Sequence, residues 1–348
     1  MSKLKAFLRR KDIEFSFKRY FIDALGAMAQ GLFASLLIGT IISTIGQQFG
    51  IERLVTVGNF AKGAQGAAMA IAIGYALKCP PLVLFSLTSV GVAANELGGA
   101  GGAFAVLIIT IIASEFGKAV SKETKLDIIV TPIVTICVGI LTAMVIAAPI
   151  GVAASYLGNL IMLATELHPF WMGIIVSVVV GIALTLPISS AAICAGLSLT
   201  GLAGGAALAG CCAQMVGFAV MSFRENGFGG LLAQGLGTSM LQMGNIVKNP
   251  KIWIGPILAS AIVGPVATCV FELEMNGAPV SSGMGTCGLV GQIGTYTGWV
   301  NDGIAIGAYH WIALIVTHFI LPAILCWLFG AFFRKIGWIK EGDLKLDL

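Results

Sequence analysis

The chain has 348 residues, of which 57% are hydrophobic and only 10% charged. A water-soluble domain carries about 25% charged residues, so this composition, with a mean hydropathy of +0.97, excludes an ordinary soluble enzyme or binding module. The net charge of +4 is concentrated at the two ends, where it reads as a membrane topology signal rather than a nucleic-acid arm.

The fold class expected is all-α: a polytopic membrane protein of about ten spans, given the roughly 20 apolar residues that each helical crossing needs. The start is basic, with Lys5, Arg9, Arg10, Lys11, Lys18 and Arg19. Residues 1–19 are expected to form an interfacial segment on anionic lipid, spaced by Phe7, Phe15 and Phe17. Span 1 follows over 20–46 and span 2 over 54–77, with Glu52 and Arg53 in the loop between. Lys62 in span 2 either lines a cavity or snorkels outward. Pro80 and Pro81 open span 3, which ends before Asn95, Glu96 and the run Gly98–Gly102. Span 4 covers 103–117 and leads to Lys118, Lys122 and Lys125. Span 5 runs from 128 and is expected to stop at Pro149, with 151–167 as an outer interfacial helix. Span 6 covers 169–186 and is broken at Pro187; span 7 covers 201–223. Residues 227–247 are taken as a further crossing, span 9 as 252–271, and the last span as 304–332. Basic residues then fall inside at five places, against Arg53 and Arg224 outside. Both termini are expected to be cytoplasmic, with 20–332 membrane-embedded and 333–348 a tail of one single membrane domain, 1–348.

One stretch departs from this pattern. Asn276–Asp302 is rich in Gly, Ser and Thr, and a small residue recurs every third position from Ser282 to Gly294. Irregular backbone at membrane depth is tolerated only where protein covers it or it lines a cavity. The stretch is therefore expected to be a re-entrant hairpin at a transport site. Its segment Gly283-Met284-Gly285-Thr286-Cys287-Gly288-Leu289 resembles Gly235-Leu236-Gly237-Thr238-Ser239-Met240-Leu241. An acid and an Asn-Gly precede each copy. Paired broken helices from internal repeats often flank a transporter's site.

Familiar catalytic patterns give little. Gly283-x-Gly285-x-x-Gly288 matches a dinucleotide fingerprint, but the strand it requires is missing from its surroundings. Neither the eight cysteines nor the three histidines show ligand spacing, so no metal and no organic cofactor is expected. No cleavable leader is expected either. Carboxylates and amides suit hydroxyl-rich solutes, since they accept or donate hydrogen bonds. The substrate-binding candidates are accordingly Glu225, Asn226, Glu272, Glu274, Asn276, Thr286, Gln292 and His310. A carboxylate or His310 could also help a hydroxyl lose its proton during phosphoryl transfer.

The residues Phe21–Ile42 (FIDALGAMAQGLFASLLIGTII) and Asn276–Trp299 (NGAPVSSGMGTCGLVGQIGTYTGW) resemble membrane IIC components of the bacterial phosphotransferase system, and most of all the stand-alone, PfoR-like branch. The resemblance implies a ten-span EIIC-like fold, a homodimer in the bacterial plasma membrane, and a re-entrant hairpin beside a sugar or other small polar solute. It also implies phosphorylation by separate IIA and IIB proteins, with membrane lipid and no nucleic acid as the other surroundings. The Gly-Ile-Thr-Glu motif of glucose-type members is absent. The alternatives are a non-enzymatic membrane sensor or regulator on the same fold, and a solute transporter that works without phosphorylation.

Overall fold

The computed structural model describes residues 3–346. Residues 1–2 of the expected interfacial segment and 347–348 of the expected tail lie outside the described residues. Every regular element among those described is helical, apart from one isolated bridge between Gly201 and Met275. The chain divides into two compact units, Met1–Ala153 and Ala154–Leu348.

Unit 1 opens with α1, Lys3–Arg10. The helix ends where Asp12 takes a positive φ of 53°, so the basic segment is not one continuous helix. Three of its cations are paired within the protein. Arg19 donates to Asp12 at 2.6 Å and to the Leu77 carbonyl at 2.7 Å. Arg10 and Lys11 pair with Glu123. The Arg19 guanidinium beside Asp12 holds that carboxyl below its usual range. Buried Lys118 pairs with Glu115 at 2.8 Å and donates to the Asp12 carbonyl at 3.0 Å, which satisfies a charge that would be costly alone.

The long helices of unit 1 fold back on one another through small residues. Helix α2 is Arg19–Gln48. The expected second span is two pieces, α3 (Glu52–Gly63) and α4 (Gln65–Ala76), broken at Ala64. A Cβ on Gly31 would lie 2.6 Å from the Ala68 carbonyl oxygen, and one on Gly39 2.7 Å from that of Gly58. The backbones of α2 thus touch those of both pieces, as small residues permit in membranes. Lys62 is half-buried and donates to Ser43 at 3.1 Å. Helices α5 (Pro81–Gly98) and α6 (Gly102–Val120) form an antiparallel pair, with Val83 of one against Gly117 of the other. The reversal falls at Gly99, whose φ of +50° is open to glycine without a Cβ clash.

Helix α7 corrects the expected stop at Pro149. It runs unbroken from Asp127 to Thr165, with Pro132 and Pro149 inside, so 151–165 continue it rather than forming a separate interfacial helix. A proline removes one i→i−4 hydrogen bond and kinks a helix. Ending the helix in an apolar medium would leave several backbone groups unpaired, which costs more. The boundary between the two units falls within α7.

Unit 2 is built around α10, Gly201–Met221, whose apolar window is 94% buried. Helix α8 (Pro169–Thr185) runs parallel to it, since Ser177 meets Gly210 and Thr185 meets Gln214. The short helix α9 (Ser190–Gly196) carries the chain back to the start of α10. Helix α13 (Pro250–Val270) is antiparallel to both: Gly264 sits on Gly173, and Pro256 is near Gly217. Helix α15 (Ala308–Lys335) is parallel to α10, with Cys326 on Gly217 and Gly330 on Met221. Among the described residues, six helical stretches are long and apolar enough to cross a membrane. One of these, Pro81–Val120, is the folded pair α5–α6, so the stretches undercount the limbs.

Candidate functional site

Two re-entrant hairpins enter unit 2 from opposite ends. The first comprises α11 (Phe223–Leu232, kinked at Gly227), a π-turn over Ala233–Gly237, a 3₁₀ turn at Ser239–Gln242 and α12 (Met243–Lys248). Both of its ends hydrogen-bond the same C-terminal segment. Asn226 donates to the Leu344 carbonyl at 2.9 Å, and Asn245 donates to that of Lys345 at 2.8 Å. A crossing would have put these residues on opposite sides, so 227–247 enters and leaves on one side. Glu225 also pairs with Arg334, at the end of α15, at 3.0 Å. Arg224 therefore lies on the same side as the C-terminal tail, whereas the expected topology had put the two on opposite sides. The reason is long-range pairing: hydropathy alone could not see which cation Glu225 meets.

The second hairpin is Asn276–Asp302, with its return limb in α14, Val290–Asn301. Its limbs meet near the opposite end, where a Cβ on Gly298 would lie 2.8 Å from the Asn276 and Gly277 backbone. Ser282 donates to the Leu199 carbonyl at 2.7 Å, and Ser190 donates to that of Gly283 at 2.7 Å. The start of α9 and the loop between α9 and α10 thus brace the first limb of this hairpin. The two hairpin tips meet: the Thr286 hydroxyl donates to the Gly235 carbonyl. The two similar heptapeptides of the sequence are brought together at this contact.

Buried polar groups surround the tips. Gln214 accepts from Trp253 Nε1 at 2.8 Å and from Thr185 at 3.3 Å, and donates to Ser260 at 3.2 Å. Thr185 in turn bonds Ser239 of the first tip at 2.7 Å. Gln292 Nε2 lies 3.4 Å from Cys212 Sγ and 3.4 Å from His318 Nδ1. Gln292 Oε1 and His318 Nε2 are buried without any partner. This pair has a defined chemistry. If Gln292 donates to Nδ1, the neutral ring carries its proton on Nε2, leaving one acceptor and one donor open. The flipped amide with the other tautomer exchanges these roles and still leaves one of each. A hydroxyl, which both donates and accepts, matches such a pair. His318 lies in a π-turn, Val316–Ile320, an irregularity found often at functional positions.

The eight residues expected from sequence separate into three places. Thr286 and Gln292 are buried at the tips. Glu225 and Asn226 lie at the tail end, where Glu225 accepts from Arg334, Gly342 and Leu344. Glu274, Asn276 and His310 lie at the opposite end of unit 2, near where the limbs of the second hairpin meet. There Asn276 donates to Glu274 at 2.9 Å and to Asp302 at 2.8 Å, and His310 packs on Trp299 at 5.2 Å. Glu272 is exposed near the same end, with a φ of 46°. Sequence reasoning missed His318, Gln214 and Ser239. A histidine or glutamine inside an otherwise apolar run was the available signal.

The tail end gives its own expectation. Asn226 makes two hydrogen bonds to the C-terminal segment, to Leu344 and from Leu346 at 2.8 Å. Each contributes about 1 kcal/mol. Asn226→Ala should therefore release the segment more often, by about tenfold or more. Limited proteolysis after residue 336 would report this as faster cleavage; an unchanged rate would show that Glu225 and Asn245 hold the segment without it.

A multi-pass helical protein in which two hairpins converge on open polar groups inside the bundle is a membrane transport component. More particularly, the chain belongs to the family described as Phosphotransferase system, EIIC, whose model matches residues 22–346. It is thus a permease-type membrane component of that system. No curated protein and no solved structure matches the chain.

Proposed function

We propose that the chain translocates a sugar or polyol across the bacterial plasma membrane and presents it to a separate IIB protein for phosphorylation. The observation that carries this reading is the unpartnered donor–acceptor pair of Gln292 and His318 beside the meeting hairpin tips. In this reading the hydroxyls of a neutral solute complete the hydrogen bonds of these two side chains, and Thr286 fixes the tips around it. Glu272, Glu274, Asn276 and His310 form the mouth through which the solute arrives. Glu225 and Asn226 position the floor of the first hairpin through the tail. The chain acts as a homodimer with both termini cytoplasmic, as one membrane domain of the stand-alone branch, and the phosphoryl group comes from IIA and IIB partners.

Uptake of labelled sugars and polyols into vesicles holding the purified protein, with and without IIA and IIB, tests this reading. Uptake of at least one hydroxyl-rich solute, accelerated by the phosphorylating partners, is expected. Absence of uptake across a broad panel would overturn it in favour of a regulator. Equal uptake without partners would favour a phosphorylation-independent transporter.

A further inference from the structure

At the tail end of unit 2, α10, α11 and α15 leave a groove of about 500 Å³ between them. Gly330 and Ala331 of α15 give it a shallow floor, because neither side chain extends beyond a methyl. Val220, Leu231 and the exposed ring of Trp327 make its apolar walls. Three cations stand at its mouth: Arg224, Arg334 and Lys335. They are not equivalent. Arg334 is neutralised by Glu225 at 3.0 Å and donates to the Met221 carbonyl at 2.9 Å. Arg224 and Lys335 are exposed and form no ion pair among the described residues.

An apolar groove between membrane helices, capped by two unneutralised cations, has the charge pattern of a lipid site. Acyl chains are indifferent to charge, whereas a phosphodiester is drawn to clustered Lys and Arg. We propose that this groove binds an anionic phospholipid, with its phosphate between Arg224 and Lys335 and an acyl chain along Leu231 and Trp327. The site joins the entry of the first hairpin to the end of α15. An occupied groove would therefore fasten the hairpin's base to the last helix, beside the Glu225–Arg334 pair. The proposal is independent of which solute the protein carries.

The test titrates the purified full-length protein in neutral detergent with phosphatidylglycerol, phosphatidylcholine and soluble glycerol phosphate. Native mass spectrometry and thermal denaturation are the readouts. Phosphatidylglycerol should give a retained one-lipid adduct and raise the melting temperature, and its binding should weaken as salt rises. Phosphatidylcholine and glycerol phosphate should do neither. The double variant Arg224→Gln/Lys335→Gln should bind phosphatidylglycerol about thirtyfold more weakly, from roughly one increment per cation. The charge-preserving Arg224→Lys/Lys335→Arg should retain binding. Equal binding of phosphatidylcholine would reduce the groove to general lipid annulus, and binding of glycerol phosphate alone would make it a soluble-anion site. Either result, or unchanged binding in the Gln variants, would overturn the proposal.

Discussion

Replacing Gln292 by Leu and His318 by Phe together is expected to abolish solute uptake while leaving the melting temperature unchanged or higher. The two effects part because of how hydrogen bonds contribute. A buried polar atom without a partner costs about 1–3 kcal/mol, and removing it together with its neighbour by apolar groups of similar shape is close to neutral or stabilising. Gln292 Oε1 and His318 Nε2 are such atoms. In a bound state the same atoms would complete two hydrogen bonds to the solute, each contributing about 0.5–1.5 kcal/mol. The solute's own hydroxyls would be left unpaired in the variant, which adds a comparable penalty. Together these amount to a loss of roughly a hundredfold or more in apparent affinity. Scintillation uptake and thermal denaturation on the same preparation would check both halves. A variant that transports normally would remove these residues from the site, and one that unfolds would assign them to structure.

The second large effect is expected at Gly285. Gly285→Leu should abolish uptake with helix content and chromatographic profile retained. The glycine has a φ of +58°, and a Cβ there would lie 2.9 Å from Met215 Sδ and 3.0 Å from the Cys211 backbone. A left-handed conformation costs a non-glycine residue roughly 1–2 kcal/mol, and overpacking adds typically 1–3 kcal/mol. The tip can relieve this strain by moving away from α10, which separates Thr286 from Gly235 and opens the meeting point. Gly303 supplies the control: its φ is +67°, but nothing lies within 4 Å of a Cβ there. Gly303→Ala bears similar backbone strain without the clash and should keep most of the uptake. Equal losses at both positions would attribute the effect to backbone strain alone.

Much of the architecture was legible because the membrane imposes simple rules. Apolar runs became helices, and Pro81, Gly99 and Pro187 acted as boundaries, since each changes the local backbone. The hairpin at 276–302 was legible from its small polar residues, which lack the side chains to hold a lipid-facing helix. Pro149 misled because a proline weakens a helix locally, whereas an apolar surrounding penalises stopping one. The stretch 227–247 misled because a hairpin and a crossing have the same mean hydropathy. For the same reason Arg224 was separated from the C-terminal tail, beside which it lies. Its neighbour Glu225 finds Arg334 more than a hundred residues away.

An all-helical membrane protein, its family and the two similar glycine-rich segments are readable from residue order, because composition and local pattern carry those. The folded chain adds that the two segments meet tip to tip, that Glu225 and Asn226 hold the tail, and that His318 stands with Gln292 where both keep an unpartnered polar atom. The physical reason is that hydrogen-bond satisfaction belongs to pairs of groups. A residue's type states what bonds it can make; the fold states which of them are left unmade.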